Sequence, residues 1–449
     1  MKPELLAKYG RPVPRYTSYP TAPHFHAGVG ARDYREWLGA LPPDLRLSLY
    51  LHVPFCQSLC WYCGCRTTVT RHYGTIAGYL DVPLREIELM AEALGVSHPV
   101  SHVHLGGGTP TMLAPDDLGR LGRALRAHFA LLPDAEVAVE IDPRTLTLAT
   151  VDALAELGVN RASLGVQDVN PKVQRAINRW QPLEVTERAM TWLRRAGIRH
   201  LNVDLMYGLP QQTEALVVRS VEGVLALAPD RVALFGYAHV PWMKRHQRLI
   251  EEAALPGPTE RAAQSQAASG RLIEVGYVAI GLDHFALPDD NLAVALGQGR
   301  LHRNFQGYSA DDARALLGFG ASAIGSLPQG YVQNAVPIGA YRQAIQGGRL
   351  AVVRGIALGD EDRLRRTIIE RLMCDLAVDL DAVCGRFGWP VHLLQPNLEA
   401  LAPLAADRLI EISDHSIRVT PRGRPFVRVV CAGFDQYLDQ GAVRHSSAV

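Results

Sequence analysis

The chain has 449 residues, with 46 Lys and Arg against 45 Asp and Glu, for a formal net charge of +1. Hydrophobic residues make up 48% and charged residues 20%, a globular balance that excludes disordered and fibrous classes. The near-zero charge argues against a nucleic-acid binder, so any anionic ligand must be met by locally placed cations.

The N-terminal stretch MKPELLAKYGRPVPRYTSYP lacks the apolar centre of a secretory signal. No apolar run reaches the roughly 18 residues of a membrane span. A cytoplasmic protein without membrane partners is expected. From about residue 47 to 285, short strand-like runs alternate with helical patterns. The predicted strands are 47–53, 101–105, 136–141, 161–166, 200–206, 231–238 and 277–281, each Leu-rich or β-branched and bounded by Gly, Pro or charge. Between them Leu118, Leu121, Leu125 and Phe129 recur at helical spacing, as do Val151, Leu154 and Leu157. Pro115 with Asp116 and Asp117 predicts a helix start, and Gly158 and Gly197 predict helix stops.

Repeated βα units imply a parallel sheet, and six or seven strands imply a partial (β/α) barrel, so the fold class is α/β. After Gly320 the alternation fades. Residues 360–388 read as one or two helices, and 397–430 as a helix followed by a short hairpin. This small, mostly α C-terminal unit has a winged-helix pattern but no basic recognition helix, so packing or covering is its expected role.

In parallel barrels the functional groups sit in the loops after the strands. Here every unusual stretch falls on that one rim: CQSLCWYCGC after the first strand, GGGTPT after the second, then Glu140, Gln167 with Asp168, Asp204, and Tyr237 to His239. The cysteines are the sharpest signal. Four of seven crowd into ten residues, and Cys56, Cys60 and Cys63 form C-x3-C-x2-C. Without a secretory signal this points to a metal site in a reduced compartment. Three thiolates can hold an iron–sulfur cluster with one iron left open. The plainer reading is a structural zinc completed by Cys65 or His72, which prefers four closed tetrahedral ligands. Gly106–Gly107–Gly108–Thr109 brings backbone close to a ligand or makes a simple tight turn, and it is neither a dinucleotide nor a Walker loop. Glu140 and Asp204 suit hydroxyl or ammonium groups, or ion pairs with Arg. His52, His102 and His104 read as structural strand residues, while His239 and His284 are better functional candidates.

These motifs together resemble the radical S-adenosylmethionine superfamily. Over essentially the whole length the chain resembles its oxygen-independent coproporphyrinogen III oxidases, through PRYTSYPTA (14–22), the extended CxxxCxxCxC, GVQDVN (165–170), DLMYGLP (204–210), GYAHVP (236–241), GLDHFALPDD (281–290) and LHRNFQGY (301–308). The resemblance implies a 4Fe–4S cluster on Cys56, Cys60 and Cys63, with Cys65 a catalytic residue outside the ligand set. It implies two S-adenosylmethionine sites. Tyr50, Gly107, Glu140 and Ile324 match the first; Tyr62, Gly108, Thr109, Gln167, Arg179, Asp204 and Ala238 match the second, Ile324 and Ala238 through their backbone.

The implied activity is anaerobic oxidative decarboxylation of two propionates of coproporphyrinogen III to vinyl groups, giving protoporphyrinogen IX in haem biosynthesis by a 5′-deoxyadenosyl radical. A flavodoxin- or ferredoxin-type reductant and a monomeric protein are expected. Haem chaperones of the same branch usually lack the fourth Cys and the PRYTSYP and RNFQGY segments, all present here. Arg15 and Arg303, in those two segments, are the expected partners of the substrate propionates, because a planar guanidinium pairs a carboxylate through two hydrogen bonds. The expected organisation is an N-terminal arm (1–45) reaching the substrate pocket, a barrel (46–355) and a C-terminal domain (356–449).

Overall fold

The structure is a computed structural model and describes residues 3–438; the outermost residues of the expected arm and C-terminal domain, 1–2 and 439–449, lie outside the described residues. Strands β1 (Leu47–Val53), β2 (Pro99–Gly107), β3 (Ala130–Ile141), β4 (Arg161–Gln167), β5 (His200–Tyr207) and β6 (Arg231–Gly236) lie side by side in chain order, all parallel. Crossover helices such as Tyr73–Leu94, Pro115–His128 and Leu148–Leu157 join them. In β1 every residue but the half-buried Tyr50 is buried, as expected of a strand covered on both faces.

The helix signals read from sequence are used. Pro115 occupies the first turn of its helix, and Gly158 ends the next with φ 94°, where a side chain would be strained. Thr147 caps that same helix by accepting the Thr150 N–H at 3.2 Å.

One expectation needs correction. The run 277–281 forms a strand but does not pair with β6: β7 (Val278–Ile280) and β8 (His284–Ala286) form an antiparallel hairpin, and it is β8 that lies antiparallel on the edge of β6. So few residues separate them that no parallel crossover could fit. The sheet continues where the alternation fades, past Gly320. Strand β9 (Ala315–Phe319), wholly buried, runs parallel to β1 on its far side, and β10 (Ile324–Leu327), β11 (Gly330–Asn334) and β12 (Val352–Ala357) continue as an antiparallel meander. The helical alternation fades because hairpin turns replace helices. A buried carboxyl ties this meander to the barrel: Glu86, on helix Tyr73–Leu94, accepts from Gly320 N, Asn334 Nδ2 and the Tyr341 hydroxyl, each at 2.7 Å.

Beyond the sheet, helices Asp360–Asp375, Leu380–Phe387 and Gln395–Ala406 precede a hairpin, Ile410–Ser413 with Ser416–Val419, that pairs with Ala377–Asp379. Their apolar core is separate from the barrel's, and Leu5, Leu6, Tyr9, Val13, Tyr16 and Tyr19 belong to it. The N-terminal segment therefore packs chiefly against the C-terminal unit. Tyr9 donates to Asp407 at 2.6 Å, Lys8 pairs with Asp407 at 2.7 Å, and Tyr16 donates to Asp435 at 3.0 Å.

Candidate active site

The cysteine loop follows β1 and has almost no regular structure, so its shape depends on contacts from elsewhere. Asn178 donates to the Leu59 carbonyl at 2.8 Å, and the Trp61 N–H donates to Ile177 O at 3.0 Å. A segment after β6 straps the other side. Lys244 donates to Cys65 O at 2.7 Å, His246 Nε2 meets Cys63 O at 2.8 Å, and Gln247 Nε2 donates to Tyr62 O at 3.0 Å and Ala238 O at 3.2 Å.

Each of the three spaced cysteines accepts a hydrogen bond at sulfur. Thr109 Oγ1 lies 3.6 Å from Cys56 Sγ, Arg179 Nη1 3.5 Å and Arg144 Nη2 3.6 Å from Cys60 Sγ, and Cys65 N 3.4 Å from Cys63 Sγ. Donors aimed at sulfur suit thiolates that carry charge onto iron. No three Cys, His, Asp or Glu side chains among the described residues converge on a single-ion position, which a cluster taking one thiolate per iron does not require. The residues present therefore fit a cluster. The Cys65 thiol and N–H, both turned to Cys63, bring the Cys63 thiol down to about 6 and push Cys65 up.

Beside this loop, Glu140 near the end of β3 accepts from Gly107 N at 3.0 Å and from His104 Nε2 at 3.2 Å. Burial opposes its charge, but these two donors hold the carboxyl below its ordinary range. Tyr50 stacks on His104 with ring centroids 5.8 Å apart, and its hydroxyl shares a hydrogen bond with His52 Nδ1 at 3.0 Å. His52 and His104 are thus satisfied by Tyr50 and Glu140 beside the strands. The glycine run is held by tight packing: a Cβ at Gly107 (φ 117°) would sit 2.6 Å from the His52 ring, and one at Gly108 2.5 Å from the Phe55 carbonyl oxygen. Ile324 lies one strand further out: a Cβ on Gly318, which pairs with Tyr50, would come 2.6 Å from Ile324 O.

The second set occupies neighbouring strand ends. Thr109 N donates to Phe55 O at 2.7 Å. A register shift after Gly165 leaves Gln167 with φ 73°, a conformation that re-aims its side chain at the strand terminus. Arg179 donates to Gly165 O at 2.6 Å and contacts Asp142 at 3.4 Å. Tyr62 packs with Trp61 against Val173, Ile177 and Tyr237. Asp204 lies within β5 rather than at its end, where strand alternation puts it on one face with Asn202, and it accepts from Asn202 Nδ2 at 2.8 Å and Ser163 Oγ at 3.2 Å. Burial, reinforced by the Glu140 charge, pushes Asp204 up to about 6. The two carboxyls are thereby driven apart in protonation.

A cavity of about 1470 Å³ opens from this rim. Cys65 and Ala238 line it, and Leu5, Pro12, Arg15 and Thr17 of the N-terminal segment form part of its wall. Arg15 and Arg303 face it together with Arg261, Arg422, Arg424 and Arg428. The Arg303 guanidinium lies 4.4 Å from the Tyr308 ring centroid, and its buried Nε and Nη1 make no hydrogen bond among the described residues. The wall between the cations is largely apolar, with Phe235, Trp242, Phe305 and Ile273. The space therefore suits a large, flat, apolar molecule carrying several anionic arms.

Residues 50–222 match the Radical SAM superfamily and residues 358–426 the HemN C-terminal domain. The oxygen-independent coproporphyrinogen III oxidase of Bradyrhizobium diazoefficiens is 51% identical over 450 residues, covering 100% of both chains. The chain belongs to the oxygen-independent coproporphyrinogen III oxidase family. The Paracoccus denitrificans oxidase is 44% identical, covering 99% of this chain and 98% of its own. The solved coproporphyrinogen III oxidase HemN from Escherichia coli, described as a radical SAM enzyme, superposes with TM-score 0.90 at 40% identity over 94% of this chain and 98% of that one.

In this member of the oxidase family, sequence reasoning missed Asp142 and Arg144, which flank Cys60 through a pair at 2.6 Å. The available signal was their position, IDPRT, on the same rim directly after Glu140. It also missed the Lys244–Gln247 strap and four of the six cavity arginines. Those lie on helix Pro258–Glu274 and in the C-terminal unit, and no local motif marks them.

Proposed function

We propose that this chain catalyses the oxidative decarboxylation of two propionates of coproporphyrinogen III to vinyl groups, yielding protoporphyrinogen IX. The observation that carries this reading is the cavity joining Cys65, beside the cluster loop, to six arginines on a largely apolar wall. A reduced tetrapyrrole with four propionates has that shape and charge, and guanidinium groups meet carboxylates through paired hydrogen bonds.

Cys56, Cys60 and Cys63 hold the 4Fe–4S cluster, and S-adenosylmethionine occupies the adjoining strand ends in two sites. When bound, these cofactors supply the one-electron chemistry that removes a hydrogen from the propionate side chain. The protein's part is positioning. Tyr50, Gly107, Glu140 and Ile324 frame the first site. Tyr62, Gly108, Thr109, Gln167, Arg179, Asp204 and Ala238 frame the second. Arg15 and Arg303 hold propionates, and Cys65 stands between cluster and substrate. The organisation follows as an N-terminal arm over the pocket, a barrel carrying the cofactors and a C-terminal cover. A monomeric cytoplasmic protein served by a flavodoxin- or ferredoxin-type reductant completes the reading. No helix among the described residues is long and apolar enough to cross a membrane.

The test is an anaerobic assay of cluster-loaded protein with coproporphyrinogen III, S-adenosylmethionine and a reductant. Divinyl product is expected, with methionine formed alongside. A cluster-replete protein that binds tetrapyrrole but yields no vinyl product would point to the chaperone relatives instead.

A further inference from the structure

Among the described residues that line the cavity there is a single carboxylate, Asp283, set among six arginines. Among the described residues it forms no ion pair with any of them, and its one polar side-chain partner is its neighbour His284, Nδ1 lying 2.8 Å from Oδ1. No described residue donates to its Oδ2 oxygen, and the side chain keeps 21% of its surface exposed against 13% for His284. Burial works against its charge, but the His284 ring and the fields of Arg303 and Arg15 hold the carboxyl down to about 2. An ionised, partly open carboxylate is a poor wall for an anionic ligand, because each propionate near it is repelled.

It becomes favourable only against hydrogen-bond donors. The proposed substrate has one concentrated donor set, the four pyrrole N–H groups at the centre of the macrocycle. Saturated bridging carbons let the four rings tilt so that all four N–H groups point to one side. A carboxylate offers about four lone-pair sites on two oxygens. We propose that Asp283 receives the pyrrole N–H groups of the substrate, fixing the centre of the macrocycle while the arginines hold its rim. His284 orients the carboxylate by occupying Oδ1 from the side, and its ring is itself held edge-on between Phe235 and Tyr308, at centroid distances of 5.5 and 5.3 Å.

This inference rests on the coproporphyrinogen reading and adds a consequence that reading alone does not carry. The site discriminates the reduced substrate from its oxidised form, coproporphyrin III, which has the same four propionates but a flat ring with only two inner N–H groups. Anaerobic equilibrium dialysis of the cluster-loaded protein, without reductant so that nothing turns over, measures both ligands. The wild-type protein is expected to prefer coproporphyrinogen III. Asp283→Asn is expected to lose about tenfold or more in affinity for it, while binding coproporphyrin III as well as before or better. Retained coproporphyrin binding doubles as the check that the variant is folded. Asp283→Glu, which keeps a carboxylate, is expected to keep the preference.

Equal wild-type affinity for both tetrapyrroles would overturn the inference whether or not any variant folds. So would an Asp283→Asn protein that keeps the preference. A wild-type protein that binds neither tetrapyrrole would instead overturn the substrate reading itself.

Discussion

The guanidinium of Arg179 lies against the Cys60 sulfur, Nη1 3.5 Å from Sγ, while Nη2 donates to the Gly165 carbonyl at 2.6 Å. Asp142 touches the same group at 3.4 Å and is itself held by Arg144. One cation thus links the cysteine loop to the ends of β3 and β4. A positive charge at a ligand sulfur stabilises the added electron when the cluster is reduced. Arg179→Gln is expected to lower the reduction potential, by no more than roughly 60–130 mV if one charge-assisted hydrogen bond of 1.5–3 kcal/mol is lost. Redox titration followed by electron paramagnetic resonance measures it, and an unchanged potential would show that the contact is purely structural.

Cys65 is expected to behave unlike its neighbours. Cys56→Ser, Cys60→Ser and Cys63→Ser should each lose the iron and sulfide along with all activity. Cys65→Ser should keep both metal and sulfide and lose turnover, because its side chain faces the cavity and supports Cys63. Iron and sulfide analysis of anaerobically reconstituted proteins separates the cases. Loss of the cluster from Cys65→Ser to the same extent as from Cys60→Ser would remove the three-ligand assignment.

Arg303 tests the rim of the substrate site. Its buried Nε and Nη1 have no hydrogen-bond partner among the described residues, and its plane rests on Tyr308, a geometry that Lys cannot reproduce. Arg303→Lys is expected to reduce kcat/KM for coproporphyrinogen by about 1–3 kcal/mol, with iron content and substrate-independent S-adenosylmethionine cleavage normal. The same change at Arg15, exposed on the N-terminal segment, should cost less. Parent-like kinetics for both variants would detach these residues from the substrate.

Glu86 gives a pH dependence that has nothing to do with the chemistry. Burial pushes its carboxyl up from the ordinary 4.5 to about 7, against the three donors that favour its charge. A raised acid pKa favours the fold fully below about pH 4.5, and the benefit is lost as pH rises through 7. Glu86→Gln carries no such titration. Relative to that variant, the wild type should lose stability between pH 5 and 8, by at most about 3 kcal/mol. Urea unfolding of the two proteins at both pH values reads this directly, and parallel stabilities would refute it.

What could be read from sequence follows the range of the interactions. The cysteine spacing, the glycine run and the strand-end acids are local, and the parallel frame carries them to one rim whatever the details. Gly107 shows the limit: the motif marks an unusual backbone, but only the fold shows that His52 fills the space a side chain would need. Asp204 was misplaced because a strand's end is uncertain in sequence, whereas alternation with Asn202 on one face was available. The strands from Ala315 to Ala357 are short, punctuated by glycine and joined by turns, so the βα rhythm that identified the others is absent. Arg261, Arg424 and Arg428 belong to the site only because distant segments converge, and nothing beside them in the chain announces it.

The segment around Tyr9 waits for a partner about as far away as this chain allows. Tyr9 and Asp407 are 398 positions apart, and Tyr16 and Asp435 are 419. On a ribosome adding roughly 5–20 residues per second, about 20–80 s pass between the synthesis of the two. The barrel and the cysteine loop are made well before that interval ends. The pocket wall formed by Leu5, Pro12, Arg15 and Thr17 takes its place only when the last helices emerge to receive it. A nascent or prematurely ended chain can therefore own the machinery for generating a radical while lacking the chamber that directs it.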